Sequence, residues 1–86
     1  MNQAEIILES YFGKNFEKYE SHEHSYITKE EILNPTKEKF LLVKKIIKQY
    51  RENNPISKTL EDFLYIFAAM TAAIPYDVWE EWEKSI

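Results

Sequence analysis

The apolar residues of this chain recur at helical spacing, most clearly after Ser57. The residues that follow the i, i+3, i+4, i+7 pattern are Leu60, Phe63, Leu64, Phe67, Met70, Thr71 and Ile74. Ile66, Ala68 and Ala69 widen this apolar surface, and a helix that is apolar around most of its circumference is normally buried. The pattern therefore predicts a central helix over about 58–74, capped at Ser57 or at Thr59, which has Asp62 three residues after it.

Two further helices are predicted in the N-terminal part of the chain. Asn2 can cap a first helix that places Ile7, Leu8, Tyr11 and Phe12 on one face, and Gly13 occupies the position where helices commonly end. Thr28 and Glu31 have the spacing of a capping box, which predicts a second, short helix that ends before Pro35.

Two more helices follow from the prolines. Asn34 is predicted to cap a third helix, with Pro35 in its first turn, that runs to about Glu52. Pro75 ends the central helix and begins a last short one.

The predicted fold is all-α: a compact bundle of four to five short helices that forms one domain over residues 1–86. A single glycine argues against a β-rich fold, which needs glycine in its turns. Residues 14–27 are the least defined, with a continuing helical turn around Phe16 and Tyr19 and a polar loop at SHEHS.

The segment KEKFLLVKKIIKQYR, residues 37–51, concentrates the positive charge. It contains six basic residues and one acidic residue, a net charge of +5, whereas the whole chain carries −4, so the remainder sums to −9. On a helical wheel, Leu42, Val43, Ile46, Ile47 and Tyr50 form an apolar face. The residues that form a continuous basic stripe beside it are Lys37, Lys44, Lys45, Lys48 and Arg51.

Three interpretations of the basic stripe remain open from the sequence. The stripe can face water or acidic neighbours in the same fold, it can bind an acidic protein partner, or it can bind nucleic acid through phosphates. Nucleic acid is the weakest of these, because a pI of about 5.2 is not typical of a nucleic-acid-binding domain.

The C-terminal segment PYDVWEEWEKSI combines aromatic and acidic residues. Trp and Tyr are enriched in binding hot spots, so Tyr76, Trp79, Glu80 and Glu83 form a candidate site for a protein partner with a basic surface. The alternative is that both tryptophans close the core. We expect Trp82 to pack with Val78 and Trp79 to stay partly exposed.

Neither a catalytic nor a metal site is predicted. His22 and His24 lie two residues apart, with Glu20 four residues before His24, but a zinc site needs three or four ligands, so a solvated loop is the better interpretation. The chain lacks a glycine-rich phosphate loop and a nucleophile with a base nearby, which indicates a protein that is not an enzyme and uses no cofactor.

The absence of cysteine, of a signal-peptide pattern and of an apolar run long enough to span a bilayer predicts a cytoplasmic protein without a membrane partner. The preference for Lys, Asn, Ile, Tyr and Phe is typical of AT-rich genomes and indicates a bacterial or phage origin. The resulting hypothesis is a small protein–protein interaction module of the inhibitor, immunity or accessory-factor type, with a homodimer as one form. A nucleic-acid-associated regulator that uses the basic stripe is the alternative.

Overall fold

The computed structural model describes residues 2–20 and 26–85. Within these ranges the chain forms five helices and one small antiparallel sheet. In chain order the elements are α1 (Gln3–Phe12), β1 (Lys18–Tyr19), β2 (Ile27–Thr28), α2 (Lys29–Leu33), α3 (Lys37–Asn53), α4 (Lys58–Ala73) and α5 (Tyr76–Glu83). This confirms the predicted small helical bundle.

Side-chain caps begin four of the helices, as the sequence predicts in three cases. Asn2 Oδ1 accepts a hydrogen bond from the Glu5 amide at 2.9 Å, and Thr28 forms a complete capping box with Glu31. Ser57 Oγ accepts from the Leu60 amide at 3.1 Å, so Ser57 and not Thr59 caps α4. These bonds satisfy amide groups that have no partner within the helix.

The predicted cap of α3 is wrong by two residues. Thr36, not Asn34, is the N-cap, and its hydroxyl accepts a hydrogen bond from the Lys39 amide at 3.2 Å. Asn34 instead ends α2, where its amide donates to the Glu30 carbonyl at 2.9 Å. Pro35 therefore lies in the connection between the two helices and not in the first turn of α3.

Between α1 and α2 the described residues Lys18–Tyr19 and Ile27–Thr28 are strands, so the predicted helical turn around Phe16 and Tyr19 is wrong. Gly13 ends α1 with a φ of +98°, which an L side chain rarely adopts. A turn at residues 14–15 follows, and β1 pairs antiparallel with β2 in the register Lys18↔Thr28 and Tyr19↔Ile27. The predicted polar loop at 21–25 lies outside the described residues.

Helix α4 is the centre of the bundle, as predicted, and packs against α1, α2 and α3. Its residues Ile66, Ala69 and Met70 are fully buried. They meet Leu8 of α1, Ile32 of α2 and Phe40 of α3 in one continuous core. Among the described helices, none combines the length and the apolar character that crossing a bilayer requires.

Candidate interaction surface

Helix α3 packs one face on the core and presents the other outward. Its buried residues are Phe40, Val43, Ile46, Ile47 and Tyr50. Leu42, predicted on the apolar face, is 38% exposed, which corrects that assignment. On the helical wheel, Leu42 lies at the edge of the apolar arc that is furthest from Phe40. Its side chain is therefore outside the part of the helix that packs on the core.

The structure divides the predicted basic stripe into two environments. Lys37, Lys45, Lys48 and Arg51 are exposed, and no ion pair links any of them to another described residue. Lys44 is different: its side chain is only 22% exposed and its ammonium contacts the carboxylate of Glu83 on α5. Part of the stripe is therefore neutralised by the chain itself.

Lys39, which the wheel places on the apolar side of α3, reaches back to α2. Its ammonium lies 3.3 Å from the Glu31 carboxylate. The same carboxylate accepts a hydrogen bond from the Thr28 amide in the capping box. Lys39 therefore reinforces the start of α2.

Helix α5 is attached to the bundle by aromatic packing. The rings of Trp82 and Phe40 lie 5.3 Å apart, and both Trp79 and Trp82 are half-buried against the core. Tyr76 is 72% exposed and stacks on Trp79 at 5.7 Å. The indole N–H of Trp79 is buried and has no acceptor among the described residues.

The four residues predicted to bind a partner recur at i, i+3, i+4 and i+7 along α5, on one face of the helix, but their contacts differ. Tyr76 and Trp79 lie together over a shallow pocket with Thr71 and Ile74. Glu83 instead faces α3 through its pair with Lys44. The Glu80 carboxylate lies 3.4 Å from the ammonium of Lys84, the residue that follows α5.

A groove between α3 and α4, closed at one end by α5, brings part of both candidate sites together. We call it the α3–α4 groove, and its volume is about 490 Å³. Its floor is apolar and consists of Ile47, Leu64 and Phe67. The charged residues around it are Lys44, Lys48, Arg51, Glu52 and Glu83.

The apolar character of the groove continues onto the loop between α3 and α4. Ile56 is 99% exposed, the most exposed large apolar side chain of the described residues. It lines a neighbouring depression that shares Leu64 with the α3–α4 groove. Contiguous exposed apolar surface is typical of interaction sites, and Ile56 extends the apolar surface that Leu64 begins.

A second polar cluster, which sequence reasoning missed, surrounds Asp62. This carboxylate is 8% exposed and accepts hydrogen bonds from Tyr11 and Tyr19, each at 2.8 Å, and from Lys58 at 2.7 Å. Lys58 also contacts the Tyr11 hydroxyl and lies over its ring at 4.5 Å. The cluster ties α1 and β1 to α4. The sequence signal available was the i, i+4 spacing of Lys58 and Asp62.

The protonation states of this cluster follow from its contacts. Burial alone would raise the pKa of Asp62, but the hydrogen bonds from Lys58, Tyr11 and Tyr19 outweigh it and hold the pKa below its usual value. Burial, together with the hydrogen bond to Asp62, raises the pKa of the Tyr19 hydroxyl. At neutral pH the carboxylate is therefore ionised and the Tyr19 phenol is neutral.

Within the described ranges, no three His, Asp or Glu side chains gather in a metal-binding group. His22 and His24 lie in the part of the chain that the structure does not describe. No protein-family model, curated protein or solved structure matches this chain.

Proposed function

We propose that this protein is a small interaction module that binds a partner protein through the α3–α4 groove and its border with α5. The observation that carries the proposal is the composition of this groove: an apolar floor of Ile47, Leu64 and Phe67 beside the exposed cations Lys48 and Arg51. Apolar anchors within a polar rim are the usual anatomy of protein interfaces.

Two features support a protein partner over a nucleic acid. The basic stripe loses Lys44 to the internal pair with Glu83, which leaves fewer cations for phosphates. The groove also has acidic residues, Glu52 and Glu83, at its border. A phosphate backbone carries a negative charge at every nucleotide and would meet both of them, whereas a protein segment can place its carboxylates beside Lys48 and Arg51 and neutral side chains beside Glu52 and Glu83.

The proposed mode of action is occupation of a partner's surface, as an inhibitor, immunity or accessory factor does, without catalysis and in the cytoplasm. Tyr76 and Trp79 lie on the same helix as Glu83 and can extend the contact. Tyr76 and Trp79, which the sequence indicates as a binding hot spot, would then form the outer part of the interface. The proposal places the centre of the interface in the groove.

Site-specific photo-crosslinking tests this proposal. A photoreactive amino acid is placed at Lys48 or Arg51 in the groove, and at the exposed Gln3 on α1 as the matched control. In cells or lysate of the source organism, the groove positions are expected to crosslink to a discrete polypeptide that Gln3 does not reach. The product should resist nuclease and disappear with protease.

Two results would contradict the proposal. A nuclease-sensitive product from Lys48 would favour the nucleic-acid alternative. Equal crosslinking from Gln3 and Lys48 would show that the groove is not the binding surface.

A further inference from the structure

We infer that the α3–α4 groove accepts an acidic segment with apolar anchors from the partner protein, and that Glu83 competes with this segment for Lys44. This inference rests on the proposed function and names the chemistry of the partner. It follows from the charges around the groove, from the position of Glu83 and from the exposed side chain of Ile56.

The charge beside the groove favours an acidic occupant, because Lys48, Arg51 and Glu52 lie outside the Lys44–Glu83 pair and sum to +1. Lys48 and Arg51 lie one helical turn apart on α3, and neither forms an ion pair with a described residue. Lys44 is the third cation on this side. Carboxylates of an incoming segment can pair with Lys48 and Arg51 while its apolar side chains contact Leu64 and Phe67.

Ile56 indicates that the occupant is longer than the groove. Its side chain is 99% exposed, so it contributes almost no buried area to the fold, and it shares a depression with Leu64. An apolar residue of the occupant placed beyond Leu64 would cover Ile56. Removing that apolar surface from water favours binding.

Glu83 gives the groove an internal competitor. The Lys44–Glu83 pair forms because α5 contacts the first half of α3, where Trp82 packs on Phe40. An acidic occupant must displace Glu83 to reach Lys44, or leave Lys44 unused. Removing the Glu83 charge therefore frees a cation without changing the apolar floor.

The binding experiment uses the full chain and a fluorescein-labelled helical peptide of about three turns with glutamates on one face and leucine and phenylalanine on the other. Two peptides of the same design, with Gln or with Lys in place of Glu, are the ligand controls. Fluorescence anisotropy measures the affinity. Physiological salt is used because it screens charges that are distant from the groove. The acidic peptide should bind, the Gln peptide more weakly and the Lys peptide least.

Lys48→Glu and Lys45→Glu form a matched pair of variants. Both lysines are exposed on α3, and both substitutions change the net charge by the same amount, but only Lys48 lines the groove. Lys48→Glu should lower the affinity for the acidic peptide about tenfold, since it replaces a charge that attracts the peptide's glutamates with one that repels them. Lys45→Glu should change the affinity much less, and equal losses in both would overturn the inference.

Glu83→Gln tests the competition directly. Freeing Lys44 should tighten binding of the acidic peptide by up to about fivefold, the range of a partly exposed ion pair. Glu81→Gln is the control, because Glu81 is exposed on the same helix and does not line the groove. No tightening in Glu83→Gln, or the same tightening in Glu81→Gln, would contradict the competitor role.

Ile56→Ser tests the length of the occupant without a cost in folding, since Ile56 is almost fully exposed. The substitution should lower the affinity for the acidic peptide several-fold. Ile6→Ser, at an exposed apolar position on α1 that does not line the groove, should leave the affinity unchanged. If groove positions crosslink to a partner protein but no acidic peptide binds, this inference fails and the proposed function stands. If light scattering shows a dimer whose interface buries the groove, the occupant is a second copy and the inference is overturned.

Discussion

Lys44 on α3 and Glu83 on α5 form an ion pair that joins the basic and the acidic surfaces of this protein. Both side chains are partly buried, with exposed fractions of 22% and 28%. The sequence leaves open whether the basic stripe faces acidic residues of the same fold. The pair shows that one of its lysines does, because Lys44 contacts the acidic helix α5. The other four cations of the stripe, Lys37, Lys45, Lys48 and Arg51, are exposed.

A double-mutant cycle of Lys44→Gln and Glu83→Gln should measure a coupling of about 0.5 to 1 kcal/mol in urea denaturation, the upper part of the range for ion pairs near a surface. The Lys84–Glu80 pair is the matched control: it spans 3.4 Å, and its side chains are 75% and 47% exposed. Its coupling should be smaller, because water screens it more. Equal couplings would show that partial burial does not strengthen the first pair.

Asp62→Asn should lower the free energy of unfolding by about 1 to 3 kcal/mol. The substitution keeps the shape of the side chain but removes the charge that accepts hydrogen bonds from Tyr11, Tyr19 and Lys58. Glu61→Gln, at the exposed neighbouring position, should change stability by less than about 0.5 kcal/mol. Denaturant midpoints measure both, and an unaffected Asp62→Asn would show that the cluster does not hold α1 and β1 to α4.

Stability should fall in acid partly through Asp62. Because folding lowers the pKa of this carboxyl group, its contribution is fully present above the unfolded pKa of about 3.9 and is lost as the pH falls through the folded pKa. Thermal melts at a series of pH values should show that, as the pH is lowered, the melting temperature falls less steeply in Asp62→Asn than in Glu61→Gln. Glu31, whose pKa is lowered by the hydrogen bond from the Thr28 amide, should account for part of the remaining slope.

Tyr76 and Trp79 should separate stability from binding. Trp79→Ala removes a half-buried ring that packs against the core and should cost about 2 kcal/mol of unfolding free energy. Tyr76→Ala removes a ring that is 72% exposed and should leave the melting temperature nearly unchanged. If Tyr76→Ala reduces crosslinking of the partner at Lys48, the interface extends along α5; a large loss of stability in Tyr76→Ala would contradict its placement.

The local rules of helix formation account for most of the fold. The spacing of Leu60, Phe63 and Met70 is enough to place the central helix, and the Thr28–Glu31 capping box is read directly from four residues. The prediction fails where two local signals compete. At Asn34 and Thr36 both residues can cap a helix, and the end of α2 takes the first of them. Around Tyr19 the helical spacing is overridden by contacts with α4 that are distant in sequence.

The sequence by itself determined the helices, most of the caps and which residues form the basic stripe, because these depend on neighbours within about one turn. Only the tertiary structure decided what faces the stripe, because the orientation of α5 depends on packing between Trp82 and Phe40. It likewise decided that Asp62, an apparently ordinary charge at the start of a helix, is buried among Tyr11, Tyr19 and Lys58. Burial and pairing are properties of surfaces that meet, and the positions of those surfaces are set by the whole core.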